Sequence, residues 1–599
     1  MAIMTMPFAW GAPDGSAWAA LPEAITHDLQ PGPMDWALAR TLNAHQAATD
    51  ARQLALVAAT SAAWRQGHAC LLIEHPQLSR LCEAMPWCHS GEDRSPLVWQ
   101  APRLYLRRAW QAEATIRQAL MQRLQVRDLP PPARLAELET ACGFSDQRPS
   151  EAAQRDAARA ALRQSFTLIT GGPGTGKTHV VARILAMRQA QALRLQGKAL
   201  NIGLAAPTGK AAARLGESLA KAAQQLPADW VQHLPSKATT LHRALMGASP
   251  QQPLMQDLWV VDEASMIDLE LMARWLSCLP PQADAVLLGD ADQLASVEAG
   301  AVLAQLCESP SWSGHRVHLS HSHRFDPDAG VGQWARLTQT GDATALQQAW
   351  AALPEVQPQM AWDGLSVGRC SSTQAQPEAL AAWMRHGWQR WRTWFEPLRT
   401  GQTPCDDAMA LEGLHALGEL GVLCATHQGP QGVHALNTWI SQLLDLPQAD
   451  ASGWFAGRPV MVQSNLPQLG LLNGDVGLCV PRRVGDRVQL RVAFAQPQNP
   501  QSPVKWLAPS LVHPVQTAWA MTVHKSQGSE FERLLIVVPE RDMPLMTREW
   551  VYTALTRAKQ SVVLWSSQPA VWQAAVQRPT RRQGGLGLSF GDPIRSGVS

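Results

Sequence analysis

A chain of 599 residues exceeds what one hydrophobic core serves; at roughly 100–200 residues per domain it divides into about three to five. An apolar fraction of 46% supplies those cores and excludes a disordered chain. A formal net charge of +2 excludes a bulk polycation, so any nucleic-acid contact has to come from locally placed charge.

Met1 to Trp10 has no basic stretch leading into an apolar core, so no secretory signal is expected. No uncharged apolar run of about 18 residues occurs, which excludes a spanning helix. The ten cysteines are scattered, Cys82 and Cys88 being the nearest pair, and no C-x-x-C occurs. Zinc and iron–sulfur sites are thus unsupported, and reduced thiols in a cytoplasmic protein are expected. Residues 1–145, rich in Ala, Leu, Arg and Gln, predict a helical domain serving as scaffold or partner-docking unit. Leu104 to Leu124 has apolar residues at helical spacing, and Pro130, Pro131 and Pro132 end the pattern.

From residue 146 to 340 short apolar runs alternate with helical stretches: Phe166–Thr170, Asn201–Ala206, Leu258–Val261, Ala285–Leu288 and Val317–Leu319. Such runs predict a parallel sheet covered on both faces, an α/β fold. Residues 341–415 read as a Trp-rich helical connector. A second α/β series fills 416–577, with strands at Gly421–Ala425, Val460–Val462, Leu534–Val538 and Ser561–Trp565. A small β insertion is expected at 478–512 and a mobile Gly- and Arg-rich tail at 578–599.

Gly171, Gly172, Pro173, Gly174, Thr175, Gly176, Lys177 and Thr178 fit G-x-x-x-x-G-K-[ST] between a strand and a helix. Glycines let backbone N–H groups turn onto phosphates, and the helix N-terminus adds its dipole. Lys177 would reach the β- and γ-phosphates of ATP, and Thr178 would ligate Mg²⁺. Asp262 and Glu263 end the apolar strand Leu258–Val261: Asp262 to hold Mg²⁺, Glu263 to polarise the attacking water. An isolated acidic pair there is more often a helix cap; its distance from the phosphate loop favours catalysis. Gln293, in Gly289-Asp290-Ala-Asp-Gln293, can sense the γ-phosphate, or it is one polar residue of a loop. Gln154, upstream of the phosphate strand, can pair with an adenine edge, or is a surface glutamine. Arg324 and Arg557 stand where a trans-acting arginine is wanted. If Arg557, from the second domain, reaches nucleotide held by the first, hydrolysis must open and close the cleft between them. Softer candidates for gripping DNA are Pro207, Thr208 and Lys210 before a helix carrying Arg214, His242 after two threonines, and Thr522, His524 and Lys525. Most of the 25 tryptophans are expected in cores, and none is singled out for base stacking.

In order, the phosphate loop, Val261-Asp-Glu-Ala-Ser265, Gly289-Asp-Ala-Asp-Gln-Leu294, Thr522-Val-His-Lys-Ser-Gln-Gly-Ser-Glu-Phe531 and Tyr552-Thr-Ala-Leu-Thr-Arg-Ala-Lys559 resemble a superfamily 1 DNA helicase. Leu104–Trp110, Cys424–Asn437 and Leu472–Asp475 narrow the resemblance to the RecD family, alpha subunits of exodeoxyribonuclease V, over nearly the whole chain. The resemblance implies two RecA-like domains with an SH3-like β insertion. It implies ATP- and Mg²⁺-driven 5′→3′ movement on single-stranded DNA and at duplex ends. It also implies RecB-like and RecC-like partners and a role in double-strand break repair by homologous recombination. A stand-alone RecD-like helicase, or a binding subunit with a decayed ATPase, are the rivals; the chemically competent residues oppose the second. Between His242 and Asp262 the family carries a β-hairpin pin, whereas Met246–Gln256 is short, and Leu466 follows Asn465 where an acidic residue is usual. A truncated or missing pin is therefore expected.

Overall fold

The computed structural model describes residues 15–27, 29–89, 94–144, 151–357, 366–374, 376–399, 403–447, 449, 452–496 and 501–587. The first RecA-like domain is a parallel sheet of six strands: β1 (Phe166–Gly171), β2 (Ile202–Ala206), β3 (Thr239–Thr240), β4 (Leu258–Val261), β5 (Asp284–Gly289) and β6 (Arg316–Leu319). Their spatial order is β6-β1-β5-β4-β2-β3. Every residue of β1, β4 and β5 is buried because helices cover both faces; most are apolar, and buried Asp284 is held by Arg127 at 2.6 Å. In-register pairing of Thr170 with Gly289 and of Val261 with Leu287 aligns the strand ends. The loops that follow β1, β4, β5 and β6 therefore share one edge, where doubly wound sheets bind ligands.

The second RecA-like domain is also all-parallel. It contains β7 (Val367–Cys370), β8 (Leu420–Cys424), β9 (Ala520–Thr522), β10 (Phe531–Val537) and β11 (Ala558–Trp565), ordered β7-β11-β10-β8-β9. Trp388, Trp391 and Trp519 are buried in its core, Trp391 stacking on Phe395 with ring centres 5.0 Å apart. No described helix is long and apolar enough to cross a membrane.

Four expectations need correction. The N-terminal region is not purely helical: Leu71–Leu72, Cys88–His89, Leu97–Gln100 and Arg103–Leu106 form a four-stranded sheet. The helix expected from Leu104 becomes strand to Leu106 and then α1 (Arg107–Met121). These strands of two to four residues are too short to print an alternating pattern. The connector is not only helical, since β7 pairs with β11 at the sheet edge. Val460–Val462 is not part of the parallel sheet. Pro459–Val462 and Val515–Thr517 pair antiparallel and extend the insertion to five strands around Val476–Val484 and Arg487–Ala495.

The fourth correction concerns the tail. Residues 578–587 form a strap from the second domain back to the first and to the N-terminal region; 588–599 lie outside the described residues. Arg582 donates to the carbonyls of Glu298 (2.6 Å) and Gly300 (2.9 Å). The Ala69 N–H donates to the Gln583 carbonyl at 2.8 Å, the Gly585 N–H donates to buried Glu113 at 2.9 Å, and Leu586 is fully buried. Polar composition suggested mobility, but carbonyl and carboxylate acceptors on the other side satisfy that polarity. As for the pin, Met246–Gln256 contains one tight turn, closed by reciprocal Ser249–Gln252 backbone bonds of 3.0 Å, and no strand.

Candidate nucleotide site and DNA-facing residues

Gln154 comes from α2 (Ala152–Arg163), and the phosphate loop joins β1 to α3 (Lys177–Gln196). Gly174 and Gly176 adopt φ of 78° and 82°, the left-handed region that favours glycine. A Cβ on Gly176 would strike the Gln154 amide at 2.6 Å, and one on Gly174 would strike Arg324. Thus Gln154 and Arg324 lie against the loop. Gln154 Nε2 donates to the Thr175 carbonyl at 3.2 Å, so its amide braces the loop. Lys177 Nζ donates to the carbonyls of Gly171 (2.6 Å) and Gly172 (3.0 Å), folded back along the loop.

Pro173 to Thr178, Asp262, Glu263, Gln293, Arg324 and Arg557 all line one cleft of about 550 Å³. Asp262 and Glu263 follow β4, with Glu263 at φ 54° and its N–H donating to Asp262 Oδ1 at 2.8 Å. Burial, then the adjoining Glu263 charge, pushes the Asp262 carboxyl upward, and Lys177 pulls it back. Among the described residues no group of three or more His, Cys, Asp or Glu is placed to hold a metal ion. Thr178 and Asp262 instead offer two hard oxygen ligands beside a phosphate site, the sparse donor set that Mg²⁺ tolerates because it keeps water and phosphate oxygens.

The far wall belongs to the second domain. Gly528, Glu530, Thr556 and Arg557 line the same cleft. Arg557 follows α4 (Arg548–Leu555) and is 4% exposed. Its Nη2 donates to Gln293 Oε1 at 2.7 Å, joining the two domains at the nucleotide edge. Beside it, the Thr553 hydroxyl accepts from the Leu294 N–H at 2.8 Å. Glu530 is clamped between Arg324 (2.6 Å) and Arg214 (2.9 Å) of the first domain. Those two arginines hold the Glu530 carboxyl below its ordinary range against the opposing effect of burial. Arg324 Nη1 is buried with no hydrogen-bond partner among the described residues, a spare donor at the phosphate loop.

Residues 149–353 match the family model described as an AAA domain, and residues 517–565 match a UvrD-like helicase C-terminal domain. The RecBCD enzyme subunit RecD of Mycolicibacterium smegmatis is 34% identical, over 95% of this chain and 98% of that one. The chain belongs to the RecD family. RecD of Haemophilus influenzae is 30% identical over 83% of this chain and 82% of its own length. The ATP-dependent RecD2 DNA helicase of Deinococcus radiodurans is 29% identical over 69% of this chain but 48% of that protein. Among solved structures, Pif1 helicase from Candida albicans overlays with a TM-score of 0.34 at 17% identity, over 71% of this chain and 97% of its own.

In this RecD-family chain the softer DNA candidates divide. Pro207 and Thr208 follow β2; the Thr208 hydroxyl caps α5 (Gly209–Ala223) by accepting from the Ala211 N–H at 3.2 Å. Lys210 is not on an open face: its ammonium donates to Ser529 Oγ of the second domain at 2.7 Å. Burial, then Arg214, lowers it to about 8. His242 is exposed at the first turn of Leu241–Ala244. Thr522 is buried and accepts from the Lys525 N–H at 3.4 Å, and Lys525 Nζ donates to Asn473 Oδ1 of the insertion at 3.0 Å. His524 is lowered by burial and by Arg582 of the strap.

Residues with no part in nucleotide binding assigned from sequence also face the cleft, Arg214 among them despite its place beside the DNA candidates. Glu530 lies within Thr522–Phe531. Arg214, Ser218 and Lys221 form a stripe on α5 that lines the cleft. Their i, i+4, i+7 spacing on an Ala-rich helix was the available signal.

Proposed function

We propose that this chain is an ATP-driven 5′→3′ translocase on single-stranded DNA. In this reading it is the helicase subunit of a RecBCD-like enzyme with RecB-like and RecC-like partners. It acts in the cytoplasm on duplex ends during double-strand break repair by homologous recombination. The observation that carries the reading is the Arg557–Gln293 bond, because it makes the nucleotide site the property of two domains. A site divided this way converts phosphate chemistry into relative domain movement.

The phosphate-loop amides and the α3 N-terminus take the ATP phosphates, and Lys177 leaves the Gly171 and Gly172 carbonyls to pair with them. Thr178 and Asp262 would hold Mg²⁺, which when bound would neutralise phosphate charge. Glu263 orients the attacking water, and Arg324 exchanges the Glu530 carboxylate for phosphate oxygens. Arg557 completes the site only when the domains close. Alignment with the RecD subunit of Mycolicibacterium smegmatis over nearly its full length at 34% identity favours the complex subunit.

Displacement of streptavidin from biotinylated oligonucleotides tests the polarity. Rapid ATP-dependent removal from the 3′ end, with the 5′ end left occupied, is expected. The reverse pattern contradicts the proposal.

A further inference from the structure

We infer that Tyr552 is a positioning residue for Arg557. Its hydroxyl holds Asp290, Asp290 orients the Gln293 amide, and Gln293 presents its oxygen to the guanidinium. This rests on the proposed role of Arg557 in ATP hydrolysis.

Tyr552 is one of two tyrosines in the chain and is 3% exposed. It belongs to α4 in the second domain, yet its hydroxyl donates to Asp290 Oδ2 of the first at 3.2 Å. A Cβ on Gly172 would meet that hydroxyl at 2.8 Å, so the phenol lies against the phosphate loop. Asp290 is buried, and the same Oδ2 accepts from Gln293 Nε2 at 3.0 Å. Its Oδ1 accepts from the Asp292 N–H at 3.1 Å.

The chemistry of the two neighbours leaves the Gln293 amide a single orientation. A carboxylate only accepts and a guanidinium only donates, so nitrogen faces Asp290 and oxygen faces Arg557 at 2.7 Å. Tyr552 and Arg557 therefore grip the Asp290–Gln293 pair from one helix and the turn that follows it. A phenol donating to a buried carboxylate is a charge-assisted bond, here a long one at 3.2 Å. Removing only the hydroxyl frees Asp290 to turn and lets the amide lose its register, while the ring keeps its packing.

The test is DNA-stimulated ATP hydrolysis by the full chain carrying Tyr552→Phe, alone and combined with Gln293→Ala. Loss of one hydrogen bond to a charged group predicts a kcat lower by about tenfold, with KM for ATP within about twofold. The melting midpoint should fall by only a few degrees, the cost of one bond. In the Gln293→Ala background the tyrosine has nothing to act through, and Tyr552→Phe should add less than about twofold. A wild-type kcat in the single variant, or a full further loss in the double variant, overturns the inference. If the wild-type chain itself turns over no faster than Lys177→Ala, the ATPase reading fails and this inference falls with it.

Discussion

Replacing Arg557 by alanine should cripple ATP turnover while sparing ATP affinity. An arginine offers five N–H donors. Three are engaged within the protein: Nη2 with Gln293 Oε1, Nη1 with the Ser529 carbonyl and Nε with the Thr553 carbonyl. The remaining donors are the ones left for the transferring phosphoryl group. Trans-acting arginines are worth roughly 10³–10⁵ in rate; a partly committed guanidinium belongs near the lower end, about 10³ or ~4 kcal/mol. The loss should fall on kcat, because the arginine acts on charge that develops at the transition state. Arg557→Lys keeps the charge but not the fork, and should recover less than about tenfold. The assay is steady-state hydrolysis with saturating single-stranded DNA, beside equilibrium binding of a fluorescent ATP analogue. A kcat within about threefold of wild type, or a defect confined to binding, would refute the claim that the second domain completes the site.

Two further outcomes follow from the packing. Arg582→Ala removes the bonds that pin the strap to Glu298 and Gly300; a cost of about 1–3 kcal/mol should lower the melting midpoint and expose the strap to trypsin, and an unchanged digestion pattern would contradict the strap. Lys210 is lowered to about 8 in the fold, chiefly by burial, against about 10.4 in an unfolded chain. Between those values the unfolded state binds more protons, so stability should rise with pH from about 8 to about 10.4. Lys210→Met should flatten that rise in urea unfolding, and an identical slope in both proteins would remove Lys210 as its source.

The nucleotide site was legible because its parts are local. A glycine-rich loop after a buried strand and a carboxylate pair at a strand end carry their own context, and Lys177, Thr178, Asp262, Glu263 and Gln293 meet in one cleft. What escaped depends on distant pairing. Nothing around Glu530 announces that Arg214 and Arg324, hundreds of residues upstream, will close on it. Lys210 looked like a DNA contact because a lysine at a helix start is suited to phosphate. Only the packing of the second domain brings Ser529 to its ammonium. The tail misled for the same reason: its Gly and Arg residues resemble a mobile end until Glu113 and the Gly300 carbonyl are brought to meet them. The strand pattern was clear in the long buried strands and lost in the short ones, the two-residue Thr239–Thr240 of the first sheet and Val367–Cys370 and Ala520–Thr522 of the second.

ATP hydrolysis by the purified chain, with and without single-stranded DNA and beside Lys177→Ala, tests the central claim most directly. Among the described residues the Lys177 ammonium hydrogen-bonds to the Gly171 and Gly172 carbonyls of the loop, so its loss should spare folding and abolish turnover. Strong stimulation by DNA that vanishes in the variant is the result expected of a DNA-coupled motor. Turnover that ignores DNA, or that survives in Lys177→Ala, would contradict it.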